Sequence, residues 1–167
     1  SVKGKLTVSA DGEIELKTKA NVDVKWAHRR LSSVVMHRQV GSQDEYDVSF
    51  VNDITIHPLG RLIRFNDDRS HSVYRIDEDI IREVQRQMGD MRFTISVLEV
   101  NRNPEGQILP RTYTVSYWDK SNNLIRSDSF VTSWKRVDKF DLPTSLLNVS
   151  TANDGKRTVQ QIRLSQL

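Results

Sequence analysis

The sequence predicts a mostly β (α+β) domain: an antiparallel meander forming a curved sheet or half-open barrel, with one main helix packed on it. Three observations carry this. Met91, Phe93, Ile95 and Val97 alternate with Arg92, Thr94 and Ser96, and Tyr113, Val115 and Tyr117 alternate with Thr112, Thr114 and Ser116. A period of two puts one set of side chains on a packed face and the other on a wet one. Turn chemistry separates the runs at Asn103-Pro104-Glu105-Gly106, Asp119-Lys120-Ser121-Asn122-Asn123 and Asn153-Asp154-Gly155. Pro pre-sets φ there, and Gly and Asn accept positive φ. The third observation is a stretch of helical period, Asp23 to Arg38.

Taken in order, Lys5 to Ala10 and Glu13 to Lys19 read as a hairpin about Asp11-Gly12, a strong two-residue turn signal. In Asp23 to Arg38, Val24, Ala27, Leu31, Val34 and Val35 recur at helical spacing, Asn21 or Asp23 caps the start, and Gly41 follows the end. Tyr46 to Asn52, Ile54 to His57, Leu62 to Phe65 and Ser72 to Ile76 read as short strands. Their turn-rich spacing argues for a sandwich or barrel. Asp79 to Met88 fits two templates. Ile80, Val84 and Met88 lie at i, i+4 and i+8, which is helical, yet they also share one strand parity, and Gly89-Asp90 leads into Met91 as a hairpin would. Periodicity alone slightly favours helix. Leu124, Phe130 and Trp134 share one parity of a further run. Pro143 fits the first residue of an edge or entry strand before Ser145 to Thr151. Arg157 to Leu164 closes the chain as a last strand.

The chain's 167 residues fit a single domain, 1–167, long enough to bury roughly 70% of its unfolded surface. An apolar content of 37% and a charged content of 28% belong to a folded, soluble protein. No apolar run approaches the ~18 residues of a transmembrane segment. The absence of cysteine excludes disulfides, thiolate zinc sites and cysteine nucleophiles. Lys and Arg exceed Asp and Glu by 25 − 22 = 3, an ordinary solvated surface. Ser1 to Ala10 has no apolar signal region, and a start without Met suggests a mature or truncated form.

No catalytic motif stands out. The histidines, His28, His37, His57 and His71, lack metal-ligand spacing, and His28 and His37 fall on different helix faces. There is no Gly-x-Ser-x-Gly elbow and no glycine-rich phosphate loop. No metal or cofactor is therefore expected. Asp77, Asp79, His57 and His71 lie near strand ends and are the candidates for an alternative reading, a cleft hydrolase or isomerase using a carboxylate or histidine. Asn148-Val149-Ser150 matches a glycosylation sequon. Tyr117, Trp118 and Trp134 beside Lys135 and Arg136 partly match a weak nucleic-acid-binding module. Sheet packing explains these aromatics better, so nucleic acid is not the expected partner.

Trp26 lies off the Val24–Leu31–Val34 stripe, beside Arg30 on the helix wheel. An aromatic next to an arginine is enriched at interfaces. This predicts that Trp26 and Arg30 line the rim of the sheet face or mark a partner contact, the alternative being that Trp26 extends the buried stripe. With Tyr117, Trp118 and Trp134 they form the set of ligand or partner candidates.

Arg86-Gln87-Met88-Gly89, Phe93-Thr94-Ile95, Asn123-Leu124-Ile125-Arg126, Asp141-Leu142-Pro143-Thr144, Asp154-Gly155 and Ile162-Arg163-Leu164-Ser165 follow one another in an order that resembles the uncharacterised cyanobacterial and plastid family called domain of unknown function 3386. His37-Arg38-Gln39 resembles that family's helix end. The resemblance implies a sheet-rich, half-barrel-like fold and a plastid stromal or cyanobacterial cytoplasmic location. It carries no catalytic residues. The Leu142-Pro143 step before a terminal strand pair also resembles half-barrel lipoprotein carriers, which implies a strand for Asp79 to Met88. Family members carry a helical segment before the first strand that this chain lacks. The expected function is non-enzymatic binding or assembly, with an apolar small molecule (an acyl chain or pigment) or a protein segment as partner.

Overall fold

The computed structural model describes residues 4–10 (as backbone), 27, 29–30, 47–51, 56–66 and 71–164. They form β1 (Gly4–Ala10), β2 (Val48–Phe50), β3 (Arg61–Phe65), β4 (Val73–Asp77), β5 (Ile80–Met88), β6 (Met91–Arg102), β7 (Ile108–Trp118), β8 (Leu124–Val137), β9 (Phe140–Ala152) and β10 (Arg157–Leu164). All belong to one sheet of order β1-β10-β9-β8-β7-β6-β5-β4-β3-β2. From β2 to β10 the chain is therefore a meander in which every strand pairs with its sequence neighbour. β1 and β2 are the two edges, so the sheet is open among the described residues.

The turns explain the sharp reversals. Gly106 N–H donates to Asn103 C=O, Asn122 N–H to Asp119 C=O and Gly155 N–H to Ala152 C=O, at the three places the turn residues marked. Gly60 is required at its position. Its φ is +83°, and a Cβ there would lie 2.1 Å from the Ile76 carbonyl oxygen. Glycine is also absent where Glu78, Asn122 and Asp138 take φ of 54°, 65° and 52°, in the turns that join β4 to β5, β7 to β8 and β8 to β9.

Register assigns the faces. Thr94, Ser116, Ser127 and Thr151 pair in succession across β6 to β9 and make the other side of the sheet polar. The core lies on the apolar side, where Phe130, Leu146 and Ile162 are buried and Ala27, Tyr113, Val115 and Leu164 pack against them. A wet face and a packed face are what the alternation predicted.

Several expectations need correction. The helix expected at Asp23 to Arg38 falls almost wholly outside the described residues. Only Ala27, Arg29 and Arg30 of it are described, in helical conformation, so one main helix is not supported beyond the contact Ala27 makes with the core. The expected partner strand Glu13 to Lys19 also lies outside the described residues, and β1 pairs with β10. Ile56 and His57 stand outside any strand. Ile80 to Met88 needs no correction: it is a strand, as the half-barrel resemblance implied against the slight periodic preference for helix, with β4 and β6 pairing on its two sides. Pro143 lies inside β9 rather than opening an edge strand. It is tolerated because the β9–β10 register ends at Ser145–Arg163 and the β8–β9 register shifts between Ser133 and Trp134, so no regular ladder needs its missing N–H.

Candidate functional site

One row of side chains crosses the apolar side of the sheet. Phe50 pairs with Ile63, Ile63 with Tyr74, Tyr74 with Val84, Val84 with Ile95, Ile95 with Val115, and Val115 with Asp128. At about 4.8 Å between strands, the row is roughly 29 Å long. It is apolar from β2 to β7 and meets its first charged group on β8. A neighbouring row runs Val97, Tyr113, Phe130, Asn148, Gln160. Toward β2 the face is open: Val48, Phe50, Met88 and Met91 are all exposed large hydrophobics. Between these exposed groups, Ile63, Phe65 and Tyr74 are half-buried.

Arginines lie over the aromatic rings of this face. Arg61 stands 3.7 Å from the Phe50 ring centroid, Arg126 4.2 Å from Tyr117, Arg30 5.4 Å from Phe130 and Arg86 5.6 Å from Tyr74. Arg86 also donates to the Tyr74 hydroxyl. Guanidinium groups favour such ring faces, and their stems cover apolar surface while their heads stay wet. Phe130 stacks on Tyr113 at 4.7 Å. Burial pushes the Tyr113 phenol pKa above its ordinary value, and the charge of Arg30 opposes the shift.

Polar groups are buried at the inner end of the row. Asp128 is 3% exposed and Asn148 is 2% exposed. Arg126 Nε lies 3.3 Å from Asp128 Oδ2, whereas Asp128 Oδ1 has no hydrogen-bond partner. Asn148 Nδ2 donates to Gln160 Oε1 at 3.5 Å, and Asn148 Oδ1 likewise has no partner. Asp128 pairs with Ser150, and Asn148 with Phe130, so the two are diagonal neighbours on one face. A buried acceptor without a donor costs about 1–3 kcal/mol. The burial of Asn148 also withholds the sequon asparagine from glycosylation.

The sequence-predicted residues do not converge. Trp26 lies outside the described residues. Arg30 and Tyr117 are on the apolar face. Trp118 pairs with Arg92 on the polar side, with the Arg92 guanidinium 5.0 Å from its ring and its buried Nε1 unpartnered. Trp134 donates from Nε1 to the Pro110 carbonyl at 2.9 Å, which ties β8 to the strand beside it. Arg136 bridges Asp141 at 2.8 Å and Glu105 at 2.6 Å, and Asn103 Nδ2 donates to the same Asp141 oxygen. The aromatics and cations that resembled a nucleic-acid platform are thus split between two faces and an acid-neutralised turn network.

The carboxylate and histidine candidates are also apart. Asp77 pairs with Arg82 and Asp79 with Arg102. His57 Nδ1 accepts from Leu59 N–H, and His71 is an exposed residue with φ of 45°. None of these candidates hydrogen-bonds another. Among the described residues no cluster of three or more His, Asp or Glu could hold a metal, and no helix is long and apolar enough to cross a membrane. Sequence reasoning missed Asp128 and Asn148. The available signal was their parity: both lie in phase with the apolar residues of their strands, Phe130 and Leu146.

Compared with known proteins, residues 1–167 match the family model described as "Protein of unknown function (DUF3386)". No curated protein and no solved structure matches.

Proposed function

The chain belongs to that family of unknown function, and we propose that it is a non-enzymatic binding protein holding an apolar small molecule against the apolar side of its sheet. The observation that carries this is the β2 end of that face, where Phe50 is exposed at the end of an apolar row whose members Ile63, Tyr74, Val84 and Ile95 are only half-buried. In this reading the open sheet curves as a half-open barrel around its ligand, as ligand-binding β folds do. The location proposed with this reading is plastid stroma or cyanobacterial cytoplasm. The hydrolase reading draws no support from Asp77 and Asp79, each engaged by an arginine.

The test is binding of a fluorescent apolar probe to the full chain, with native mass spectrometry of protein purified from its source. Probe should bind, an apolar adduct should appear, and Ile95→Glu should weaken probe binding about tenfold or more. A folded protein that binds no probe and carries no adduct overturns the reading.

A further inference from the structure

We infer that the ligand is a single-chain amphiphile with a carboxylate head group, and that Arg86 and Tyr74 receive the head. The inference rests on the binding reading above and names its chemistry. Both residues belong to the apolar side of the sheet. Tyr74 stands in the row between Ile63 and Val84. Arg86 lies two residues beyond Val84 on β5 and pairs with Phe93, which makes it the diagonal neighbour of Tyr74. Arg86 is exposed and Tyr74 is half-buried, so the pair lies at the surface of the face rather than within the core. The apolar row continues from the head: Val84, Ile95 and Val115 lie one, two and three strands from Tyr74, about 14 Å at ~4.8 Å per strand. All three are half-buried, and a tail laid along them would cover what they still expose.

Charge and donors select the head group. Arg82, Arg102, Arg111, Arg126 and Arg136 are each engaged by a carboxylate, whereas no carboxylate among the described residues lies within ion-pair distance of Arg86. Its row runs Arg86, Phe93, Tyr117, Arg126, and Asp128, beside that row, belongs to Arg126. A guanidinium among apolar side chains without a counter-ion favours an anion and repels an ammonium. Arg86 Nη2 donates to the Tyr74 hydroxyl oxygen. That oxygen is the acceptor, so its own proton is directed elsewhere, beside the remaining guanidinium N–H groups. A carboxylate can take the guanidinium on one oxygen and the phenol on the other. The Tyr74 ring is held by Phe65, with centroids 4.8 Å apart, and lies under Arg86 at 5.6 Å, which positions the hydroxyl. Arg61 also lacks a carboxylate partner, but the ring beneath it, Phe50, has no hydroxyl to complete such a fork.

The experiment is displacement of the fluorescent probe from the full chain by hexadecanoate, hexadecanol and hexadecylammonium, each kept monomeric. These share a tail and differ in the head. Hexadecanoate should bind about tenfold more tightly than hexadecanol, the advantage of a charge-assisted hydrogen bond over a neutral one. Arg86→Gln should bring that ratio toward unity while hexadecanol binds as before. Tyr74→Phe keeps the ring and removes one donor, so it should reduce the ratio about threefold. Arg61→Gln should leave it unchanged. The wild-type comparison decides the matter even where a variant does not fold. Equal displacement by carboxylate and alcohol overturns the inference, and so does a preference for hexadecylammonium. A carboxylate preference that survives Arg86→Gln overturns the assignment, and its loss in Arg61→Gln would move the head group to the Phe50 edge. Probe binding with no carboxylate preference sinks this inference alone, whereas no binding of any ligand sinks the function proposed above with it.

Discussion

The two halves of the apolar side obey one register and differ in what covers them. Across β8 to β10, Phe130 is 4% exposed, and Leu146 and Ile162 share its burial with Ala27 packed against the cluster. Across β2 to β6, Phe50 is 55% exposed, and Val48, Met88 and Met91 are exposed with it. The residue classes are the same and the strand parity is the same. Burial contributes about 25 cal/mol per Å² of apolar surface, so the covered half carries the stability. Toward β2, large apolar side chains stay exposed among the described residues. Alternation encodes which side is apolar, but not how deeply each part of that side is buried.

The largest expected effect separates the halves directly. Phe130→Ala should lower unfolding free energy by about 3–5 kcal/mol, the usual result of emptying a buried aromatic site. Phe50→Ala should change it by no more than about 0.5 kcal/mol, as at ordinary surface positions. Urea unfolding of both variants measures the contrast. A comparable loss at Phe50 would mean that the open half is core, and the comparison would break.

A smaller effect is expected where the β8–β9 turn is fastened to the β6–β7 turn. Arg136 joins Asp141 and Glu105, and Asn103 donates to Asp141. Asp141 is largely buried, with only 10% of its side chain exposed. Arg136→Met should cost about 1–3 kcal/mol, because it removes a charge-assisted hydrogen bond from a largely buried carboxylate. Hydrogen exchange should quicken at residues 103–107 and 138–141 before it does elsewhere. Uniform protection across both turns would show that the network is not what joins them.

The legible parts of the fold are those where local chemistry has one solution. β6 and β7 could be read because Met91 to Val97 and Tyr113 to Tyr117 alternate between a packed side and a wet one. The turns at 103–106, 119–123 and 153–155 could be read because Gly or Asn sits where φ becomes positive. β5 was ambiguous for a physical reason: spacings of four and eight satisfy both a period of 3.6 and a period of two. The β8–β9 turn was hidden because Asp138 takes positive φ without a glycine. The candidate site was the least legible. Asp128 and Asn148 read as polar interruptions, and only strand pairing shows that both occupy interior positions on adjacent strands.

Alkaline pH probes the covered half again. Burial raises the Tyr113 pKa above its ordinary value of 10.0, so folding favours the neutral phenol. This stability is fully present below pH about 10 and is lost as pH rises through the folded-state pKa, because the unfolded chain releases the proton first. Tyr113→Phe keeps the stack on Phe130 and removes the titration. Its melting temperature should fall less than that of wild type between pH 9 and pH about 11. Parallel curves for the two proteins would show that the ring is open to water, and the covered half would shrink by one strand.

The smallest effect belongs to the turn between β4 and β5, at the open half. Arg102 donates to both Asp79 oxygens, at 2.9 and 2.6 Å. That hydrogen bonding, with the guanidinium charge, lowers the Asp79 pKa below its ordinary 3.8. A lowered carboxylate pKa contributes stability that is present above pH about 4 and is lost as pH falls through the folded-state value. Both side chains are solvated, at 43% and 61% exposure, so water and salt screen most of the interaction. Asp79→Asn should therefore melt only slightly below wild type at neutral pH and low salt. The gap should narrow as pH falls through the folded-state value, and also in 1 M salt, where the Debye length is about 3 Å. A gap that survives both conditions would show that the pair is shielded from solvent, and that the open half is covered at this end.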